Sequence, residues 1–350
     1  MKGKLSLSLE GWVGLYFLLY LPNVMITRYV TTTPHPELGR PLTGLETLPA
    51  SLVFNWLITY AFIWLSGWHR DANAVQLGRW RFPVPTRFTF ISGLGTALVL
   101  FTVPMSLTFQ GVSIPFIQLI MRGDILIIAP LVDLMFGRKV RWWSWVALVM
   151  VFGALVLTLA DRGGLNLPPL AIVTVVLYTI GYFVRLAMMN RLSKDGDPAT
   201  VRRYFVEEKM IALPLSVAAL AMVSALGFGA QAGELSYGFF AVWTDPVILP
   251  LFLIGFTLAM IGVVAIIILL DPNENAYCVP LERAASLVAG VGGAVLLAWF
   301  FGGQMPRAAE LVGAAILIAA IVLLSLAPRL SAQRTRISLS DPPAKSVPEI

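Results

Sequence analysis

Ten apolar runs separated by short, turn-rich stretches constrain this sequence more than any other feature. They lie at about 10–30, 48–68, 88–108, 111–136, 142–160, 168–190, 204–227, 246–270, 277–301 and 308–327. A helix crossing a bilayer core consumes about 20 apolar residues, and a run of that length is too long for a strand. The pattern therefore predicts an all-α polytopic membrane protein with ten transmembrane helices. Composition agrees, because 58% hydrophobic and 13% charged residues with a mean hydropathy of +0.81 exclude a water-soluble globule. The first run follows Lys2 and Lys4 and has no Ala-x-Ala site behind it, so it reads as a retained helix rather than a cleaved signal.

Several function classes fall away on residue counts. A single cysteine, Cys278, excludes a disulfide scaffold. Two histidines, His35 and His69, exclude most zinc chemistry, and neither lies within a span. No metal and no cofactor is expected. The net charge of +6 would point to nucleic acid in a soluble domain, but here its placement follows the loops. With a cytoplasmic amino terminus, the inner connections hold Lys2, Lys4, Arg70, Arg79, Arg81, Arg87, Arg138, Lys139, Arg141, Arg191, Lys194, Arg202, Arg203, Arg329, Arg334, Arg336 and Lys345. The outer ones hold only Arg40, Arg162 and Arg307. That asymmetry predicts both termini in the cytoplasm and assigns the charge to topology, with no nucleic-acid partner. Short loops and the absence of any Asn-x-Ser/Thr acceptor favour a bacterial inner membrane. Trp142, Trp143 and Trp145 read as an interfacial anchor of the fifth span.

Five helices per half would set the sixth span antiparallel to the first, so a duplicated unit is an inverted repeat. Tyr16, Tyr20 and Asn23 in the first span match Tyr178, Tyr182 and Arg185 in the sixth at an offset of 162, and Arg122 matches Arg283 at 161. Offsets of four and seven residues share one helix face. The expected organisation is one five-helix repeat over 1–165, a second over 166–328, and a disordered cytoplasmic tail over 329–350, where apolar residues give way to Ser, Pro and charge.

The candidate site consists of polar residues inside apolar runs. An arginine at a helix centre costs about 2.5–3.5 kcal/mol on insertion scales, so it needs a partner or a watery cavity. Pro115, Gln118, Arg122 and Asp133 form one stripe on the fourth span, with Asp124 on the opposite side. Glu282 and Arg283 open the ninth span, Ser286 follows on the Glu282 face, and Gly290, Gly292 and Gly293 admit a neighbouring helix. One reading is a charged site in which Arg122, Glu282 and Arg283 bind a polar substrate group. The other is a buried Arg122–Glu282 ion pair that fixes packing. The expected substrate contacts are Tyr16, Tyr20, Asn23, Gln118, Arg122, Tyr178, Tyr182, Arg185, Glu282, Arg283 and Ser286, with Glu282 and Asp133 as proton-coupling candidates. Glu207, Glu208 and Lys209 read as an interfacial cluster at the mouth of the seventh span, and Asn55 as a hydrogen bond to a neighbouring helix.

Gln118, Arg122 and Gly123, then Leu131, Gly137, Arg138, Lys139, Val140 and Trp145, closing in VALVMVFGALVLTL, resemble the drug/metabolite transporter superfamily. Arg283 with Glu310, Leu311 and Gly313 would be the matching element of the second half. The long connection after the first span departs from the family pattern. The resemblance implies a pseudosymmetric alternating-access transporter of a small anionic or zwitterionic metabolite or drug. Its cavity would be lined by spans one, three, four, six, eight and nine, with spans five and ten peripheral and homodimer-forming. An intramembrane enzyme is the rival class, but no GxSxG or HExxH motif supports it, and Asp124 and Asp271 are only loose carboxylate candidates. A membrane scaffold or channel fits the hydropathy but leaves the charges in the spans unexplained.

Overall fold

The computed structural model describes residues 7–77, 80–109, 111–123, 142–162, 167–192, 197–227, 229–270 and 275–340. Eleven helices run through them: α1 (Leu9–Thr32), α2 (Gly44–Leu65), α3 (Arg87–Ser106), α4 (Ile114–Gly123), α5 (Trp142–Arg162), α6 (Pro169–Arg191), α7 (Pro198–Leu226), α8 (Gly229–Phe239), α9 (Ile248–Leu269), α10 (Asn275–Phe301) and α11 (Ala308–Ser340). Local sequence sets their starts. Ser8 caps α1, Thr86 caps α3, and Thr43 with Glu46 forms a reciprocal capping box on α2. Asp197 caps α7 with Pro198 at its first position, and Gly227 ends that helix in the left-handed region at φ 67°.

Seven helices are long and apolar enough to cross a membrane: α1, α2, α3, α6, α7, α9 and α10. Their lipid-ready faces carry exposed Leu18, Val176, Met222 and Leu249, as expected of a multi-pass membrane protein. The fourth, fifth and tenth expected spans coincide with α4, α5 and α11, whose described apolar stretches are shorter. Packing gathers the helices into two groups. In one, α1 packs on α9 and α10, and α2 on α9; in the other, α3 packs on α6 and α7. α4 touches α5, α6, α10 and α11, while α5 pairs with α11.

Three elements depart from the sequence reading. A two-stranded antiparallel hairpin, β1 (Ala74–Leu77) with β2 (Trp80–Pro83), joins α2 to α3, so the chain is not purely helical. Its strands of four residues are too short to rise above the spans in a hydropathy scan, although Val, Leu, Trp and Phe favour a pleated surface. Helix α8 forms within the connection that the sequence leaves as loop. Finally, α11 runs to Ser340, into the 329–350 stretch expected to be disordered, because no Pro or Gly stands between Pro328 and Pro342 to stop it.

Candidate functional site

Eight of the expected residues converge where α1, α4, α6 and α10 meet. Spacing of four places Tyr16 over Tyr20 and Tyr178 over Tyr182, and each pair stacks, at 5.6 Å and 5.9 Å between ring centroids. Arg122 reaches between the two stacks. Its Nη2 donates to Tyr20 Oη (2.6 Å), its Nη1 to Tyr178 Oη (2.8 Å) and its Nε to Gln118 Oε1 (3.1 Å). Gln118 in turn donates to Tyr20 Oη (3.4 Å). From α10, Arg283 donates to the same Tyr178 hydroxyl, and its guanidinium lies 3.7 Å over the Tyr182 ring. Glu282 accepts from Tyr16 Oη through Oε1, and its Oε2 lies 3.5 Å from Arg283 Nε. Gly290 and Gly293 let α10 close on Gln118 of α4 and Val24 of α1.

The charges do not form the Arg122–Glu282 ion pair of the alternative reading. Arg122 is only 3% exposed, yet every side chain it bonds among the described residues is neutral. A guanidinium has five N–H donors, and these three bonds leave two of them unspent among the described residues. Glu282 pairs with its neighbour Arg283 rather than with Arg122.

The other expected residues stand apart. Asn23 donates to Thr257 Oγ1 (2.8 Å) and Ile254 O (3.3 Å), which fastens α1 to α9. Ser286 spends its hydroxyl on the Arg283 carbonyl (2.9 Å) of its own helix. Arg185 turns to Glu208. Asp133 and Asp124, like Leu131, Gly137, Arg138, Lys139 and Val140 of the family resemblance, lie outside the described residues. Asn55 accepts from Thr59 within its own helix (3.1 Å), not from a neighbouring one.

A second polar cluster contradicts the interfacial reading of Glu207, Glu208 and Lys209. Because α7 starts at Pro198, these residues sit about 14 Å along the helix and are buried. The Asp197–Pro198 start signal is plain in the sequence; the apolar run alone places the helix start too late. Glu208 Oε1 accepts from Ser92 (2.9 Å), Thr96 (2.7 Å), Tyr204 (3.0 Å) and Arg185 Nε (2.9 Å), and Oε2 from Arg185 Nη2 (3.3 Å). Lys209 Nζ lies 3.7 Å from Oε2. Glu207 instead ties down the hairpin base, accepting from the Asn73 and Thr86 amides and from Thr89 Oγ1 while pairing with Arg203.

The opposite end of the bundle carries its own clasps. Arg28 of α1 donates to three carbonyls of the α3–α4 connection, Leu107 (3.1 Å), Phe109 (2.8 Å) and Val112 (3.0 Å). His35 accepts the Glu37 amide on Nδ1 (3.3 Å), so its Nε2 donates to Asp245 Oδ1 (2.8 Å). Burial and the Asp245 carboxylate push the Tyr237 phenol above its ordinary value, which keeps it a donor to Asp245 Oδ2 (3.4 Å).

No family model matches the chain, and no curated protein matches it. Among solved structures the chain is similar to one named "Crystal structure of protein", at 13% identity and a TM-score of 0.48, covering 90% of this chain and 98% of that chain. A likeness of that size carries no argument about function.

Proposed function

We propose that the chain is a secondary active transporter of the drug/metabolite transporter superfamily, moving a small solute with an anionic group by alternating access. Ten spans in two inverted repeats build it, with both termini on the basic, cytoplasmic side of an inner membrane. The observation that carries the reading is Arg122, a buried guanidinium held among the described residues by neutral groups at the meeting of four helices. Charged groups inside a membrane protein are costly and mark solute paths, and an arginine with spare donors is suited to a carboxylate or phosphate.

The repeat is supported by packing that maps onto itself when the halves are exchanged. Gly93 of α3 abuts Glu208 O and Ile211 of α7, while Gly255 of α9 abuts Ser51 O and Phe54 of α2. The glycines differ by 162 positions and both partner pairs by 157. The same 162 relates the two stacked tyrosine pairs.

The test is uptake into liposomes holding the purified chain, with radiolabelled succinate, L-glutamate and inorganic phosphate as probes. Wild type is expected to accumulate or exchange at least one probe. Arg122→Gln is expected to lower its initial rate about ten- to hundredfold, the usual value of a charge-assisted hydrogen bond. An unchanged rate in the variant removes Arg122 from the site, and movement of none of the three by wild type overturns the transport reading.

A further inference from the structure

We infer that Arg87 and Arg191 form a headgroup site for an anionic phospholipid, whose acyl chain lies along the exposed face of α3. The inference stands apart from the transport reading and needs only that these helices sit in a bilayer.

The close crossing of α3 and α6 at Gly95 and Gly181 sets the start of α3 beside the end of α6. There the Arg87 guanidinium carbon lies 4.7 Å from the centroid of the Phe88 ring, and that of Arg191 lies 5.8 Å from the same centroid. Both arginines are exposed. Two like charges thus share one aromatic ring, which offsets an exposed cation only weakly. No carboxylate pairs with either of them among the described residues. The two carboxylates beside the hairpin are already taken, Asp71 by Arg202 and Glu207 by Arg203. A phosphodiester answers this arrangement, because its anionic oxygens accept from more than one guanidinium at once.

The surface next to the charges says which phosphate it is. Phe90, Ile91 and Leu94 are exposed and follow Arg87 at three, four and seven residues, so they share its face of α3. A cationic head on an apolar stripe is complementary to an amphiphile: phosphate at the guanidinia, hydrocarbon along the helix. A free phosphate would use the head alone and leave the stripe idle. A zwitterionic lipid would bring a third cation to the two already there, whereas an anionic one brings none.

Native mass spectrometry of the detergent-purified full chain tests this, with dioleoylphosphatidylglycerol, dioleoylphosphatidylcholine and glycerol 3-phosphate as probes. Wild type is expected to bind the phosphatidylglycerol more tightly than the other two. The double variant Arg87→Gln, Arg191→Gln is expected to weaken phosphatidylglycerol binding about ten- to thirtyfold, the usual value of two basic residues at a lipid surface, with phosphatidylcholine binding within about twofold of wild type. Lysine at both positions is expected to retain part of the affinity, since an ammonium still attracts phosphate. Arg70→Gln, which removes another exposed cation at the same end of the bundle, is expected to bind like wild type. Phosphatidylglycerol binding wild type no better than phosphatidylcholine overturns the inference without any variant. So does affinity unchanged in the double glutamine variant, or lost equally in Arg70→Gln, which would mean diffuse attraction. Glycerol 3-phosphate binding as tightly as the lipid would make this a soluble-anion site, and a dimer lost in the double variant with lipid binding intact would give the face to a second copy; either result overturns the lipid assignment.

Discussion

Glu208 shows how much one buried carboxylate can organise. It joins α3, α6 and α7 through Ser92, Thr96, Arg185 and Tyr204, and among the described residues no other carboxylate pairs with that guanidinium. Glu208→Gln keeps the shape and removes the charge, leaving Arg185 and Lys209 as buried cations together. The expected loss is about 3–5 kcal/mol, the usual cost of removing one partner of a buried pair, measured as denaturant unfolding in detergent. Replacing Glu208, Arg185 and Lys209 together by Met is expected to restore much of that stability, since no unpaired charge then remains in the cluster. A single variant as stable as wild type would contradict this view. At this scale the sequence was informative about which residues matter and weak about whom they meet. Arg122, Arg283 and the four tyrosines were legible because polar residues stand out in apolar runs. Arg185 shares the tyrosine spacing yet serves a different cluster, since its partner Glu208 comes from a helix whose start was misplaced by six residues.

The helices were legible as elements because their length and capping residues are local properties. Their contacts were not, because a hydrophobic run says nothing about which neighbour it meets. Gly95 and Gly181 illustrate the gap. A Cβ on Gly95 would lie 2.6 Å from Gly181 O, and one on Gly181 would lie 2.6 Å from Gly95 O. The backbones of α3 and α6 touch there, yet neither glycine announces the other in sequence. Small residues at a crossing are a general device of membrane packing. Gly95→Leu is therefore expected to cause loss of the monodisperse peak in size-exclusion chromatography. Gly153→Leu on α5, where no described residue lies within 4 Å, is expected to elute like wild type. Equal behaviour of the two variants would show that the crossing tolerates separation. The hairpin and α8 escaped for the opposite reason: they are short, and Glu207 and Thr43, which hold them, act across long sequence separations.

On the scale of the whole molecule, Arg28 is the described link that binds α1 to the α3–α4 connection by three carbonyls. On the transport reading, opening at this end must break those bonds. In a Cys278→Ser background with Gln118→Cys as reporter, Arg28→Ala is expected to raise labelling by a membrane-impermeant maleimide from that side about tenfold or more. That factor corresponds to losing roughly 1.4 kcal/mol of latch energy. No change in rate would mean that the clasp only trims a loop. The grouping of α1, α2, α9 and α10 against α3, α6 and α7 was not legible in advance, although the offset of 162 between the tyrosine pairs foreshadowed it.

The phenol of Tyr178 has one oxygen and two suitors, Arg122 from the first half of the chain and Arg283 from the second. On the transport reading, rocking one half against the other would strip it from one of them. The abandoned guanidinium would then be ready for cargo at the moment the halves part, so a single hydroxyl would time capture to movement.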